Sequence, residues 1–158
     1  MFREMRRFKQ LLSRQECLEI LKKEPRGVLA VSGDDGYPYA FPMNFYYDEV
    51  SGKIYFHAAK TGHKMDAIQR NDKVSFCVHD AGYRKPGEWA LNIKSVIVFG
   101  RIRVIEDRET VIEKVRQFAL KYYPTPESVE DEIRKDGHAV QCLELTIEHM
   151  TGKLVHES

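Results

Sequence analysis

The chain is poor in the features that announce a special environment. Its three cysteines, Cys17, Cys77 and Cys142, are odd in number and far apart. They form neither a CxxC metal motif nor a disulfide framework, so a reducing cytoplasm is the expected compartment. No apolar run approaches the length of a membrane-spanning helix. The basic opening MFREMRRFKQ is not followed by the apolar stretch of a signal peptide. Neither sign of charge dominates: 25 Lys plus Arg against 24 Asp plus Glu leave a net +1. That balance gives no electrostatic pull toward nucleic acid or an anionic membrane. Also missing are the Walker pattern GxxxxGKS/T, the GxGxxG fingerprint, the GxSxG elbow and HExxH. With them go the direct pointers to nucleoside triphosphate hydrolysis, a dinucleotide fold, serine hydrolysis and a zinc peptidase.

What remains is an ordinary globular composition, 42% hydrophobic and 31% charged over 158 residues. It suits a single domain spanning 1–158, without repeats, low-complexity tracts or an interdomain linker. Ser13 and Glu16 form a capping box for a first helix, with Cys17, Leu18, Ile20 and Leu21 as its apolar face, and EPRG at 24–27 stops it. VLAVS, the tight turn GDDG at 33–36 and YPYAFPMNFYYD predict a hairpin whose second strand runs over 37–48. GKIYFHAA predicts a third strand. Thr61 is the expected cap of a short helix over 62–70 that ends at Asn71. KVSFCVHD alternates Val74, Phe76 and Val78 with Ser75, Cys77 and His79. The long strand WALNIKSVIVFGRIRVIED is expected to bulge at Gly100. Asp107 caps a helix with Val111, Val115, Phe118 and Tyr122 on one stripe, and YPTPES breaks it. The acidic ESVEDEIRKDG gives at most a short exposed helix. AVQCLELTIEH is the last strand, with Leu143, Leu145 and Ile147 on one face, before a tail MTGKLVHES.

Strands that follow one another without crossover helices exclude a doubly wound parallel sheet. Closure removes sheet edges, so the expected fold is mainly β: an antiparallel barrel with peripheral helices.

Three constellations carry chemistry. In YFHAAKTGHK a strand runs into a helix start, where Gly62, His63 and Lys64 sit in the first turn. The free N–H groups and the dipole at such an end favour an anion, and Lys64 adds a point charge. His57 and Lys60 lie just upstream; an exposed helix end with solvated Lys and His is the competing interpretation. In PYAFPMNFYY, Pro42 cannot donate to a ladder, so the strand is an edge or bulged there. The N–H and C=O groups of Met43 and Asn44 are then free to meet a flat heteroaromatic ring, although Phe41, Phe45, Tyr46 and Tyr47 individually suit a core. In WALNIKSVIVFG, Trp89 is the only tryptophan and Ser95 interrupts an apolar run. His57, His63 and His79 do not complete a metal shell, so no metal is expected. The paired carboxylates suit a solvated surface.

Together, DDGYPYAFPMNFYY, IYFHAAKTGHK, SVIVFG and the closing HMTGK resemble the pyridoxamine 5′-phosphate oxidase-like FMN-binding split barrels. The nearest branch is the nitroimidazole-resistance proteins, which share an MRR-like start as at Met5–Arg7. The resemblance spans about Arg6 to Lys153. It implies a Greek-key split barrel and a homodimer with FMN at the subunit interface. His57, Ala58, Gly62, His63 and Lys64 would hold the ribityl phosphate, and Pro42, Met43 and Asn44 would line the pyrimidine edge. Ser95 and Trp89 would approach from the partner subunit. It further implies an oxidoreductase passing electrons to a nitroaromatic or other small acceptor, with NAD(P)H binding only transiently and His57 as a candidate proton donor. The alternative is a flavin- or haem-binding carrier or sensor without turnover. The arginine-rich phosphate pattern and substrate-binding tail of true pyridoxamine phosphate oxidases are missing, which argues against that vitamin reaction. Ile93–Lys94 stand where the branch often carries an aromatic residue.

Overall fold

The structure, a computed structural model, describes residues 1–123 and 125–157. In chain order the elements are α1 (Arg14–Lys23), β1 (Arg26–Ser32), β2 (Pro38–Asn44), β3 (Tyr46–Asp48), β4 (Lys53–Ala58), α2 (His63–Arg70), β5 (Lys73–His79), β6 (Leu91–Ile105), α3 (Arg108–Tyr122), α4 (Pro126–Asp136) and β7 (Gln141–Glu157). All strand pairs are antiparallel, in the order β2-β1-β5-β6-β7-β4-β3.

That order requires a barrel. β2 and β3 form opposite edges of the sheet, yet only Phe45 separates them in the chain. One residue spans at most about 3.6 Å, so the sheet must curl until its edges meet at Phe45. The single strand expected over 37–48 is therefore two strands, broken at the seam, and this break lets the sheet close. The interior is apolar. Phe45, Phe56 and Phe76 are fully buried and meet edge to face at 5.0 and 5.1 Å between ring centroids. Leu29, Ile54, Val78, Val96, Val98, Leu143 and Leu145 complete the layer, and the buried faces of α1 and α2 join the same core.

The expected irregularity at Gly100 is present as a register shift between Phe99 and Gly100. A Cβ on Gly100 would lie 2.1 Å from the carbonyl oxygen of Thr146, so only glycine permits that approach. The capping box on α1 and the Asp107 cap on α3 form as expected.

Three further expectations change. The tail after His149 is strand: β7 continues to Glu157, because β6 supplies ladder partners as far as Leu91. The acidic segment is an eleven-residue helix, α4, capped by Thr125 with Pro126 in its first turn. Val129 is buried, and Arg116 of α3 pairs with Glu130. Pro124, in the expected break, lies outside the described residues, as does Ser158. Finally, β7 is buried on both faces around residues 142–145, not on one. α3 covers the outer face of the sheet, where Tyr55, Ile105, Val111 and Cys142 form a second small core. Burial there pushes the Cys142 thiol up to about 12.

Beside that core a charged network is tucked under α3. Glu144, only 6% exposed, accepts from Arg103 Nε at 2.8 Å, Tyr55 Oη at 3.0 Å and Lys53 Nζ at 3.1 Å. Lys114 pairs with the buried Asp48 at 3.1 Å.

Candidate functional site

The turn after β4 delivers the chain into α2 through Gly62, whose φ is +128°. A Cβ placed there would meet nothing within 4 Å, so the backbone conformation, not crowding, demands glycine. Gly62, rather than the expected Thr61, is the N-cap, and no side chain caps the helix. Ser13, Asp107 and Thr125 cap the other three α-helices. The Asp66 N–H returns to the Gly62 carbonyl at 3.1 Å. The N–H groups before it in the first turn have no intrahelical acceptor, which leaves an open nest of donors at the positive end of the helix.

Lys64 reinforces this end. Its ammonium lies 3.6 Å from Met43 Sδ and 4.6 Å from the centroid of Phe41, with no carboxylate partner among the described residues. A cation held by a sulfur and a π face keeps its charge available to an anion. The His63 ring is engaged elsewhere: it stacks on Tyr39 at 4.1 Å, with Nε2 3.6 Å from Asp34, which also binds Arg70 at 2.9 Å. Only the His63 main chain belongs to the nest.

The edge strand β2 presents a second row of groups. Its hairpin closes with Gly33 N–H on the Tyr37 carbonyl at 2.9 Å, and the register pairs Val31, Leu29 and Gly27 with Tyr39, Phe41 and Met43. Antiparallel alternation makes these the hydrogen-bonded pairs and turns the main-chain groups of Ala40, Pro42 and Asn44 to the free edge. Pro42, lacking an N–H, thus sits where no ladder bond is lost. This corrects the expectation for Met43, whose main chain is committed to Gly27 while its side chain reaches Lys64. Asn44 keeps its main chain at the edge, and its Oδ1 accepts from Arg26 Nε at 3.0 Å.

His57 is separated from this group by strand alternation. Ala58 packs against the barrel core. The His57 imidazole stands on the other face, edge-on to Phe118 of α3 at 4.6 Å. Desolvation against that helix lowers its pKa from the ordinary imidazole value, which disfavours the imidazolium form. The expected proton-donor role has no support from this geometry. Ser95 lies on the outer face of β6, opposite His79 and Lys153. Trp89 is 85% exposed in the loop before β6, its carbonyl accepting from Arg84 Nε at 3.3 Å. Neither reaches the nest within this chain. His79 contacts the Asp80 carbonyl at 2.7 Å, so the three candidate histidines lie in different places.

One feature escaped the motif reading. Across the outer face the register aligns Pro42, Val28, Cys77, Ile97 and Thr151 in one row, and Ala40, Ala30, Ser75, Phe99 and His149 in the next. Val28, Ile97 and Phe99 are more than 40% exposed. The signal was in RGVLAVS, a strand apolar on both faces, as expected where both faces are covered.

A family model described as pyridoxamine 5′-phosphate oxidase matches residues 13–154. No curated protein matches significantly. Among solved structures the chain is similar to a candidate 5-nitroimidazole antibiotic resistance protein of Bacteroides thetaiotaomicron VPI-5482, with 20% identity and a TM-score of 0.77 over 92% of this chain and 87% of that one. A conserved hypothetical protein of Mycobacterium tuberculosis superimposes with 16% identity and a TM-score of 0.79, over 95% and 90%. The FAD and heme binding protein of Mycobacterium smegmatis gives 22% identity and a TM-score of 0.73, over 92% and 73%. At these identities the likeness is one of fold, and the curled antiparallel sheet with its four helices is the split barrel of these relatives.

Proposed function

The chain belongs to the pyridoxamine 5′-phosphate oxidase family, and on that premise we propose that it is an FMN-binding oxidoreductase working as a homodimer. The observation that carries the proposal is the uncapped start of α2, where Gly62 at φ +128° opens a nest of N–H donors beside the ammonium of Lys64, which has no carboxylate partner among the described residues. That donor set fits a single terminal phosphate: the N–H groups and dipole bind it and Lys64 offsets part of its charge. The main chain of His57 and Ala58 leads into the nest, and His63 contributes its N–H. The free edge at Pro42 and Asn44 offers a carbonyl and an N–H to the hydrogen-bonding edge of a flat heterocycle, with Met43 holding Lys64 from within.

Bound FMN would supply the electron-transfer chemistry. The Gly62 nest and Lys64 would anchor the phosphate, and the free β2 edge at Pro42 and Asn44 would hold the heterocycle. Two copies meeting through the outer-face row of Val28 and Ile97 would bring Ser95 and Trp89 of one protomer toward the nest of the other. A nitroaromatic or other small acceptor would then approach the exposed ring face, and NAD(P)H would bind only in passing, since the chain has no dinucleotide fold.

The test is a visible spectrum of the purified protein before and after loading with FMN and gel filtration. Flavin bands that persist in the wild type and are lost in Lys64→Ala support the assignment. A Soret band in place of flavin bands points to haem, and a protein that retains neither sinks the proposal. Reduction of the bound flavin by NADPH, followed by reoxidation with a nitroimidazole, separates turnover from carriage.

A further inference from the structure

At the first position of β1 stands a cation that neither the core nor the phosphate nest uses. Arg26 is exposed and alternates with the buried Gly27 and Leu29, so it belongs to the outer face of the sheet. Its register partner is Asn44, the last residue of β2, and opposed residues share a face. Arg26 Nε donates to Asn44 Oδ1 at 3.0 Å. The Nη donors have no acceptor, and no carboxylate pairs with the guanidinium, among the described residues. Both ends of the residue are held. The Tyr122 hydroxyl lies 2.7 Å from the carbonyl of Pro25, which fixes the main chain leading into Arg26. At the other end a guanidinium is a rigid fork, so a tether at Nε also sets the direction of its remaining donors. Those donors stay open at the end of the free β2 edge where Asn44 keeps its main chain. An open groove of about 390 Å³ runs from Arg26 past Val28 and Pro42 to Cys77.

We propose that Arg26 sets the redox balance of the flavin site, by binding the pyrimidine end of the ring more tightly once the ring is reduced. The inference rests on the flavin reading given above. Two-electron reduction adds one proton at N5 of the ring and leaves negative charge shared between N1 and the neighbouring carbonyl. The main-chain groups at Pro42 and Asn44 are neutral and serve both redox states nearly alike. A fixed cation beside them favours only the state in which charge develops. Lys64 does not take this part. Its ammonium is held by Met43 and Phe41 on the core side of β2, and the phosphate it would meet carries the same charge in both states. Asn44 is the positioning residue, because its side-chain oxygen aims the guanidinium.

The test loads the full chain with FMN, scores its retention by gel filtration, and reads the midpoint potential against a reference dye at neutral pH. Dithionite is the electron donor and water supplies the proton. Arg26→Met keeps the length of an exposed side chain and removes its charge. It should weaken binding of reduced FMN about tenfold, the gap between a charge-assisted and a neutral hydrogen bond. Binding of oxidised FMN should change little. The potential then falls by about 30 mV, the equivalent of tenfold for a two-electron couple. Arg26→Lys should keep most of the potential, and Asn44→Ala should lose part of it. A merely structural role would move retention or melting temperature and leave the potential in place. An unchanged potential in Arg26→Met, whether or not retention falls, overturns this inference while wild-type retention upholds the flavin reading. A wild type that retains no flavin ends both.

Discussion

The hydroxyl of Tyr122 and the main chain of Phe45 close the barrel. The hydroxyl accepts from the Phe45 N–H at 2.9 Å and lies 2.7 Å from the carbonyls of both Phe45 and Pro25, one of which takes its single proton. Lys121 adds an ammonium that donates to the Glu24 carbonyl at 2.7 Å and the Phe45 carbonyl at 3.0 Å. Phe45 leaves one sheet edge and enters the other, so neither ladder serves its polar groups. Two side chains from the last turn of α3 serve them instead.

Tyr122→Phe should therefore destabilise the fold by about 1–3 kcal/mol, the cost of leaving a part-buried N–H without an acceptor. Urea denaturation should show a lower midpoint at unchanged slope. An unchanged midpoint would mean that water replaces the hydroxyl at the seam.

Lys121 makes the same clamp sensitive to pH. Burial pulls its pKa from 10.5 down to about 8, against a weaker opposing pull from Glu24. Between those two values the unfolded chain binds the proton that the folded chain has released, so this group's contribution to stability rises with pH from about 8 to 10.5 and is flat below. Comparison of the wild type with Lys121→Met isolates it: the wild type should gain on the variant across that window. A constant difference would show that the two carbonyls and the Phe45 ring, 3.8 Å away, hold the ammonium at its ordinary value.

Glu144 works in the opposite direction. Burial alone would raise its carboxyl, but hydrogen bonds from Arg103, Lys53 and Tyr55 outweigh it and hold it below its ordinary 4.5. Its stabilising effect is complete above pH 4.5 and is lost as pH falls through the folded value beneath that. Glu144→Gln should weaken the fold at neutral pH by about 2 kcal/mol and flatten the acid limb of the stability curve. An acid limb as steep as in the wild type would place the responsible carboxylate elsewhere.

Sequence patterns reported local structure well and long-range structure selectively. The capping box at Ser13, the alternation of Val74, Phe76 and Val78, the bulge at Gly100 and the cap at Asp107 depend on neighbours in the chain, and all are present. The break at Phe45 depends on which edges meet, and an unbroken aromatic run hides it. The strand after His149 looks like a polar tail because its order comes from β6. At the site, the motif grouped His57 with Lys64 by proximity in the chain. His57 stands on the outer face of β4 and Lys64 in the first turn of α2, so the two side chains meet different surroundings, Phe118 for one and Phe41 with Met43 for the other.

The proposed dimer face makes its own prediction. Ile97 and Val28 flank the exposed Cys77 in one row across the outer sheet, and a charge there would be buried without a partner on association. Ile97→Lys should convert a dimer into a monomer by light scattering and lower FMN retention with it. A dimer of unchanged mass would move the interface to another surface.

At the nest, Gly62→Ala and Lys64→Ala should fail in different ways. Alanine at φ +128° strains the backbone by about 1–3 kcal/mol, so the first turn of α2 must rearrange and its N–H groups lose their common aim. Lys64→Ala removes one point charge and leaves the nest intact. Gly62→Ala should therefore lower both thermal stability and FMN affinity. Lys64→Ala should lower affinity about tenfold, the size of one charge-assisted hydrogen bond, with little change in melting temperature when flavin is absent. That affinity loss should shrink as salt is raised, because the lost interaction is electrostatic and partly exposed. Equal, salt-independent losses in the two variants would mean that the phosphate is held somewhere other than the start of α2.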